Sequence, residues 1–254
     1  MRKLIVHYHL FKNAGSSIDK LLEDSFGESW KGFDRTSSAS KILPACLDDF
    51  IQRNPELVAI SSHQALPPLP NSQEYEIFPL LFVRHPIDRA KSAYLFEWQK
   101  QLGLDQPKGT FREYVTEKLQ PGEGGAISDF HVYHLSNLAV DGQKPMHDPE
   151  PEARLQRAKE FLESLAFFGI VEQFQESLVR AHFYLKYHFP ELKVVNRTLN
   201  STQGRGRSLE SKLIGIRSEL GAEIYSLLEE RNRLDLSFYQ YACRRFSAVV
   251  PREN

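Results

Sequence analysis

Short apolar runs alternate along the chain with stretches in which apolar residues recur every three or four positions, the pattern of buried strands separated by amphipathic helices. Leu4 to Leu10 forms the first run; a turn is predicted over Phe11 to Ser16 and a helix over Ser17 to Phe26, with Ile18, Leu21, Leu22 and Phe26 on one face. Gly27 to Ser40, rich in Gly, Ser and charge, reads as a loop. Leu43, Leu47, Phe50 and Ile51 then mark a helix over Ile42 to Asn54, stopped before Pro55. Leu57 to Ile60 and Ile77 to Val83 are continuous apolar runs, as in parallel strands covered on both faces. Between them Pro67, Pro68 and Pro70 exclude helix.

The second half keeps the rhythm. Pro86 sits well at the first position of a helix reaching about Lys100, with Asp88 complementing its positive end and Tyr94, Leu95 and Trp98 available for packing. Another helix opens at Thr110 and is broken by Pro121 to Gly125. Ile127 to Val140 carries His131, Tyr133 and His134, a spacing that suits packing or cleft lining better than metal ligation, because no further ligand residue stands nearby. A loop over residues 141–151, a helix over Pro151 to Leu165, a strand over Ala166 to Val171 and an amphipathic helix bearing Phe174, Leu178, Ala181 and Leu185 come next. Val194 and Val195 read as a last strand, and helices from Ser208 onward supply Leu209, Leu213, Ile216, Ile224, Leu227 and Leu228 to the core. The expectation is a single α/β domain over residues 1–254, its central, mainly parallel sheet flanked by helices and its ligands gathered at the carboxyl ends of the strands.

Composition narrows the classes. The 32 basic and 33 acidic residues nearly cancel, which argues against a nucleic-acid footprint or a polybasic membrane surface. Cys46 and Cys243, far apart, exclude a disulfide framework and fit a reducing, cytoplasmic location. The N-terminal apolar run is broken by His7 and His9 and reads as a strand, and no stretch approaches the roughly 20 apolar residues of a membrane span.

Candidate chemistry sits at the strand ends. The first turn of a helix leaves N–H groups unpaired at the positive end of the helix dipole, so the turn before Ser17 is suited to an anion. Gly15 admits close approach, Ser16 and Ser17 offer hydroxyls and a cap, and Lys12 brings a mobile charge. The lysine precedes the glycine, unlike the nucleoside-triphosphate loop, which disfavours a kinase or GTPase. An ordinary capped helix is the plain alternative. His63, just past a strand, has the side chain best suited to take a proton from a hydroxyl near neutral pH, although a satisfied structural histidine also fits.

Lys12-Asn13-Ala14-Gly15-Ser16-Ser17 after a first strand resembles the 5′-phosphosulfate loop of the sulfotransferases, whose common form is Pro-Lys-Thr-Gly/Ala-Ser/Thr-Ser/Thr. Arg84-His85-Pro86, with Ser92 eight positions after the arginine and Arg89-Ala90-Lys91-Ser92 inside it, is similar to the same family's 3′-phosphate motif. Ser62-His63 resembles the short segment bearing the catalytic base in the uronyl 2-O-sulfotransferases. Asn196 to Arg207, with glycines, hydroxyls and arginines able to wrap a phosphate, looks like the family's basic loop over the nucleotide, with Gly204 and Arg205 as contacts.

The resemblance implies a P-loop-like sulfotransferase fold and transfer of a sulfuryl group from 3′-phosphoadenosine 5′-phosphosulfate to a hydroxyl of a carbohydrate acceptor, without a metal. Lys12 would neutralise charge on the leaving phosphate, His63 would take the hydroxyl proton, Asn13, Ala14, Gly15, Ser16 and Ser17 would cradle the 5′ end, and Arg84 and Ser92 would hold the 3′-phosphate. Phe11, Asn13 and His85 stand where the family's common forms have proline, threonine and aspartate. The alternative these positions allow is a catalytically inactive nucleotide-binding module of the same fold.

Overall fold

The computed structural model describes residues 1–37, 40–97, 109–120, 125–136, 151–193 and 207–248. Its centre is a five-stranded, all-parallel sheet of β1 (Arg2–Tyr8), β2 (Trp30–Gly32), β3 (Ala59–Ser62), β4 (Tyr75–Val83) and β5 (Gly169–Ile170), in the order β2-β3-β1-β4-β5. The helices are α1 (Gly15–Phe26), α2 (Pro44–Arg53), α3 (Pro86–Phe96), α4 (Phe111–Lys118), α5 (Phe130–Leu135), α6 (Pro151–Ser164), α7 (Phe174–Leu185), α8 (Leu209–Leu220), α9 (Ala222–Glu230) and α10 (Arg233–Ala248).

Alternation along the strands divides the core between two faces. Leu4, Val6, Tyr8 and Leu10, with Leu81 and Val83, pack under α2, α5, α6 and α10, whereas Ile5, Phe78, Leu80 and Phe82 pack under α1 and α7. A third apolar cluster joins α3 to α4, α8 and α9 through Ile87, Tyr94, Phe111, Val115, Leu220 and Leu228.

Two expectations on the sheet are corrected. Trp30–Gly32, within the stretch read as a loop, pairs with Ala59–Ser61 as a three-residue edge strand. Its partly buried tryptophan followed by exposed lysine and glycine shows none of the apolar continuity of an inner strand, so only pairing makes it one. The strand at 166–171 contracts to Gly169–Ile170, because Val171–Gln173 turns into a 3-10 segment. The strand expected at Val194–Val195 lies outside the described residues.

The chain leaves β1 toward β2 and β3, then crosses β1 to β4 and continues outward to β5. The direction of travel reverses between β1 and β4, which opens a crevice at their carboxyl ends. In-register pairing of Tyr8 with Ser62 and with Leu81 brings the ends of β1, β3 and β4 to one rim. No helix among the described residues is long and apolar enough to cross a membrane.

Candidate functional site

The loop from β1 into α1 is strained. Lys12 and Ala14 both hold the left-handed conformation, φ 63° and 61°, on either side of Asn13. A residue with a Cβ pays roughly 1–2 kcal/mol for that geometry, and such strain persists only where surrounding contacts impose it. The imposing contacts come from Asn13, whose buried amide lies 3.1 Å from His131 Nε2, while His131 Nδ1 donates to Asp235 Oδ2 at 2.8 Å. Burial lowers the His131 pKa, which favours the neutral ring; with the Nδ1 proton on Asp235, Nε2 faces the Asn13 amide, 3.1 Å from Nδ2 and 3.2 Å from Oδ1, and accepts from Nδ2. Asp235 also takes the N–H groups of His131 and Val132 at 2.9 Å each, capping α5. The Asn13 side chain is thus an anchor facing inward, away from the place a nucleotide would take.

Helical bonding in α1 begins with Ser17 and Ile18, both donating to the Ala14 carbonyl, which leaves the N–H groups of Gly15 and Ser16 at the helix mouth. Ser16 and Ser17 are exposed there, and neither caps the helix, contrary to the capping role expected of them. The space saved by Gly15 is taken by a protein ring: a Cβ there would meet His9 Cδ2 at 1.9 Å and Nε2 at 2.0 Å. Glycine is therefore required by His9.

Arg84, at the tip of β4, donates from Nη1 to the Lys12 carbonyl at 3.0 Å and from Nε to Asp88 Oδ2 at 2.8 Å. The two motifs, 72 residues apart in sequence, meet across the crevice. Lys12 Nζ stands 4.1 Å from the centre of the Phe96 ring. Ser92 is half-buried on α3 at helical spacing from Asp88, which Lys212 of α8 approaches at 3.5 Å. Arg89, the other basic residue of the motif, is fully buried, with Nη1 on the Ala126 carbonyl at 2.7 Å and its guanidinium 4.5 Å from the Phe130 ring centre. It supports the core. His85 is half-buried, donates its N–H to Glu172 Oε1 at 2.9 Å, and is pushed down to about 4 by burial.

His63 lies at the rim of β3 with its side chain 49% exposed. Its Nδ1 donates to Asp34 Oδ2 at 2.8 Å, and its own N–H and the Ser62 hydroxyl donate to Asp34 Oδ1. Burial would raise the Asp34 pKa, but the hydrogen bonds and charge of His63 outweigh it and hold the carboxyl below its ordinary value. With Nδ1 engaged, the Nε2 lone pair of His63 is left for chemistry. Asp34 is itself fixed from both sides, by Phe33 stacked 3.8 Å over Phe50 and by Gln64, which bonds Arg35 and Ser37.

His9 stacks 3.8 Å from His63 and 5.2 Å from His7. Asp19 of α1 accepts from His7 Nδ1 at 2.9 Å and from His9 Nδ1 at 2.7 Å. These donors and acceptors have the composition of a metal site, but their spacing is that of hydrogen bonds. A tetrahedral zinc would hold its ligand atoms about 3.3 Å apart. Burial pushes His7 down to about 4; for Asp19 burial acts upward, but hydrogen bonds from both rings prevail and hold it well below the carboxylate range.

No family model matches the chain. It is 31% identical over 257 residues to an uncharacterized protein of Archaeoglobus fulgidus, with 94% of this chain and 95% of the archaeal protein covered. The chain belongs to the family of that archaeal protein. The alignment takes in nearly the whole chain.

Lys12, Gly15, Ser16, Ser17, His63 and Arg84 thus gather at one end of the sheet, with Ser92 farther along α3. Gly204, Arg205 and Trp98 lie outside the described residues, as does the loop over 141–150. Sequence reasoning missed Asp19, Asp34, His9 and Lys212. His9 carried a signal, because it sits two positions after His7 at the end of the first strand; the two aspartates and Lys212 carried none.

Proposed function

We propose that the chain is a sulfotransferase that moves a sulfuryl group from 3′-phosphoadenosine 5′-phosphosulfate to a carbohydrate hydroxyl, acting in the cytoplasm. The observation that carries this reading is the meeting of Arg84 with the Lys12 carbonyl at the point where the sheet reverses direction. One nucleotide with phosphates at both ends needs two anion subsites on a common rim. The α1 mouth with Lys12 would take the 5′ end, and Arg84 with Ser92 the 3′-phosphate.

Catalysis would consist of positioning and charge stabilisation, with attacking and leaving oxygens in line. The acceptor oxygen forms the new bond to sulfur and its proton passes to His63 Nε2, whose orientation Asp34 maintains. The bond from sulfur to the phosphate oxygen breaks, and the electron pair remains on that oxygen beside Lys12. The test is a radiolabelled sulfate-transfer screen over carbohydrate acceptors, with Lys12→Ala and His63→Ala as controls. Both variants are expected to fold and to lose turnover, and full activity in both would overturn the mechanism.

A second reading, a nucleotide-binding module without chemistry, is favoured by one feature: the Arg84 guanidinium is already bound to Asp88 at 2.7 Å and to the Lys12 carbonyl. Calorimetry with adenosine 3′,5′-bisphosphate separates the two, since binding without transfer to any acceptor supports the module.

A further inference from the structure

We propose that Lys212 of α8 makes the subsite at the β4 tip selective for a dianionic phosphate monoester, and so for adenosine nucleotides that carry a 3′-phosphate. This rests on the reading of Arg84 and Ser92 as the 3′-phosphate subsite and adds to it a charge brought from a different element.

The balance of charge at the strand tip carries the assignment. Asp88 is nearly buried, and its Oδ2 accepts from the Arg84 guanidinium, at 2.8 Å from Nε and 2.7 Å from Nη2. Arg84 and Asp88 thus cancel. A phosphate monoester carries close to two negative charges above its second pKa of about 6, and it would meet here a pair without net charge. It would also stand beside a carboxylate of its own sign, and water screens that repulsion weakly at a nearly buried group.

Lys212 supplies the missing charge. Its Nζ approaches the same Oδ2 at 3.5 Å, so two cations share one carboxylate and the three side chains together keep a positive charge. That distance makes an ion pair but is longer than a hydrogen bond, which leaves the ammonium donors for a ligand. The Lys212 side chain is 39% exposed, against 16% for Arg84 and 7% for Asp88, so it stands on the open side of the pair. Ser92, one helical turn after Asp88, adds a neutral hydroxyl.

The position of Lys212 is set by packing. Ile216, one turn farther along α8, belongs to the same apolar cluster as Ile87 and Ala90 of α3, and Lys91 of α3 donates to both oxygens of Glu219 of α8 at 2.6 and 2.7 Å. Those two charges are therefore spent on joining the helices. Of the other charged groups near the tip, Glu172 accepts from the His85 N–H and the Tyr239 hydroxyl, and the Lys12 ammonium lies over the Phe96 ring. Lys212 is the cation directed at the Arg84–Asp88 pair from outside it.

The experiment uses the full chain at about pH 7.5, where the 3′-phosphate is dianionic. Calorimetry with adenosine 3′,5′-bisphosphate and with adenosine 5′-monophosphate gives a ratio of dissociation constants in which the contribution of the 5′ end cancels. The parent chain is expected to prefer the bisphosphate. Lys212→Met should shrink that preference roughly 10- to 100-fold, the range for a hydrogen bond between charged groups, with the affinity for the monophosphate unchanged. Lys212→Arg, which keeps the charge, should hold the ratio within a few-fold of the parent.

An unchanged ratio in Lys212→Met, or an equal loss for both nucleotides, would overturn the assignment and leave the sulfotransferase reading standing, because the lysine would then be a bystander or a prop. Lys212→Arg behaving like Lys212→Met would overturn it as well, since charge would not be the cause. A parent chain that binds the two nucleotides equally would remove the 3′-phosphate subsite and Lys212 with it. A parent chain that binds neither would remove the sulfotransferase reading itself.

Discussion

Asp34 decides which nitrogen of His63 faces the crevice, and its removal is the sharpest test of the base assignment. Asp34→Asn should leave the melting temperature within a few degrees of the parent, because the carboxylate is partly solvated, and should lower kcat by roughly 10²-fold or more in sulfate transfer, the scale of a general base that has lost its orientation. An unchanged kcat would show that His63 is not the base. His63 was legible in the sequence because it follows an apolar run, and Lys12, Gly15 and Arg84 because they sit in turns between a strand and a helix. Asp34 was not, since it lies 29 residues from His63 inside a stretch of loop composition. The direction of the Asn13 side chain was not legible for a related reason: its place in the loop is visible in the sequence, but its direction depends on His131, 118 residues away.

At the scale of elements, the unit from β1 through the strained turn into α1 is held by α5, and α5 is held by α10. Asp235, on α10, caps α5, while Asp129, before α5, takes the N–H groups of Leu234 and Asp235 at 3.0 and 2.9 Å, so the two helix starts cap each other. Asn232 adds bonds to the Ile127 carbonyl and the Asp129 N–H. Removing Asn13 cuts the link between this brace and the turn. Asn13→Ala should cost about 1–3 kcal/mol, the penalty for leaving His131 Nε2 buried without a partner, and should weaken adenosine 3′,5′-bisphosphate binding as the turn relaxes. Denaturant unfolding and calorimetry would measure the two effects, and a variant as stable as the parent would remove the bracing role. Helices were read well from periodicity and, for α3, from Pro86 at its first position. The edge strand β2 was not read, because three residues, two of them exposed, carry no period.

For the whole molecule, buried imidazoles set the response to acid. Burial pushes His7, His85 and His134 each to about 4, and lowers His131 as well. Unfolding returns them to about 6.5, so between these values the unfolded chain binds more protons and stability falls as pH falls. Asp129, raised to about 7 by burial and by the charge of Asp235, acts in the opposite direction over the same window, and so does Glu172, raised by burial. Four imidazoles against two carboxyls leave acidification destabilising, at about 1.4 kcal/mol per pH unit for each uncompensated proton. The melting temperature should fall steadily from about pH 7 to about pH 5, and a flat or rising profile would contradict the burial of these rings.

Apart from the edge strand β2, local pattern alone determined the order of strands and helices, the parallel α/β class and the turns where an anion could sit, because the side-chain periods of 2 and 3.6 and the φ limits of proline are properties of neighbouring residues. Which strands stand side by side, that the turns of Lys12 and Arg84 share one rim, that Gly15 makes room for an imidazole, and which carboxylate orients each histidine were decided by tertiary packing. Apart from the contact of Gly15 with His9, those relations join residues 10 to 118 positions apart, and contacts of that range exist only once the sheet has brought its strand ends together.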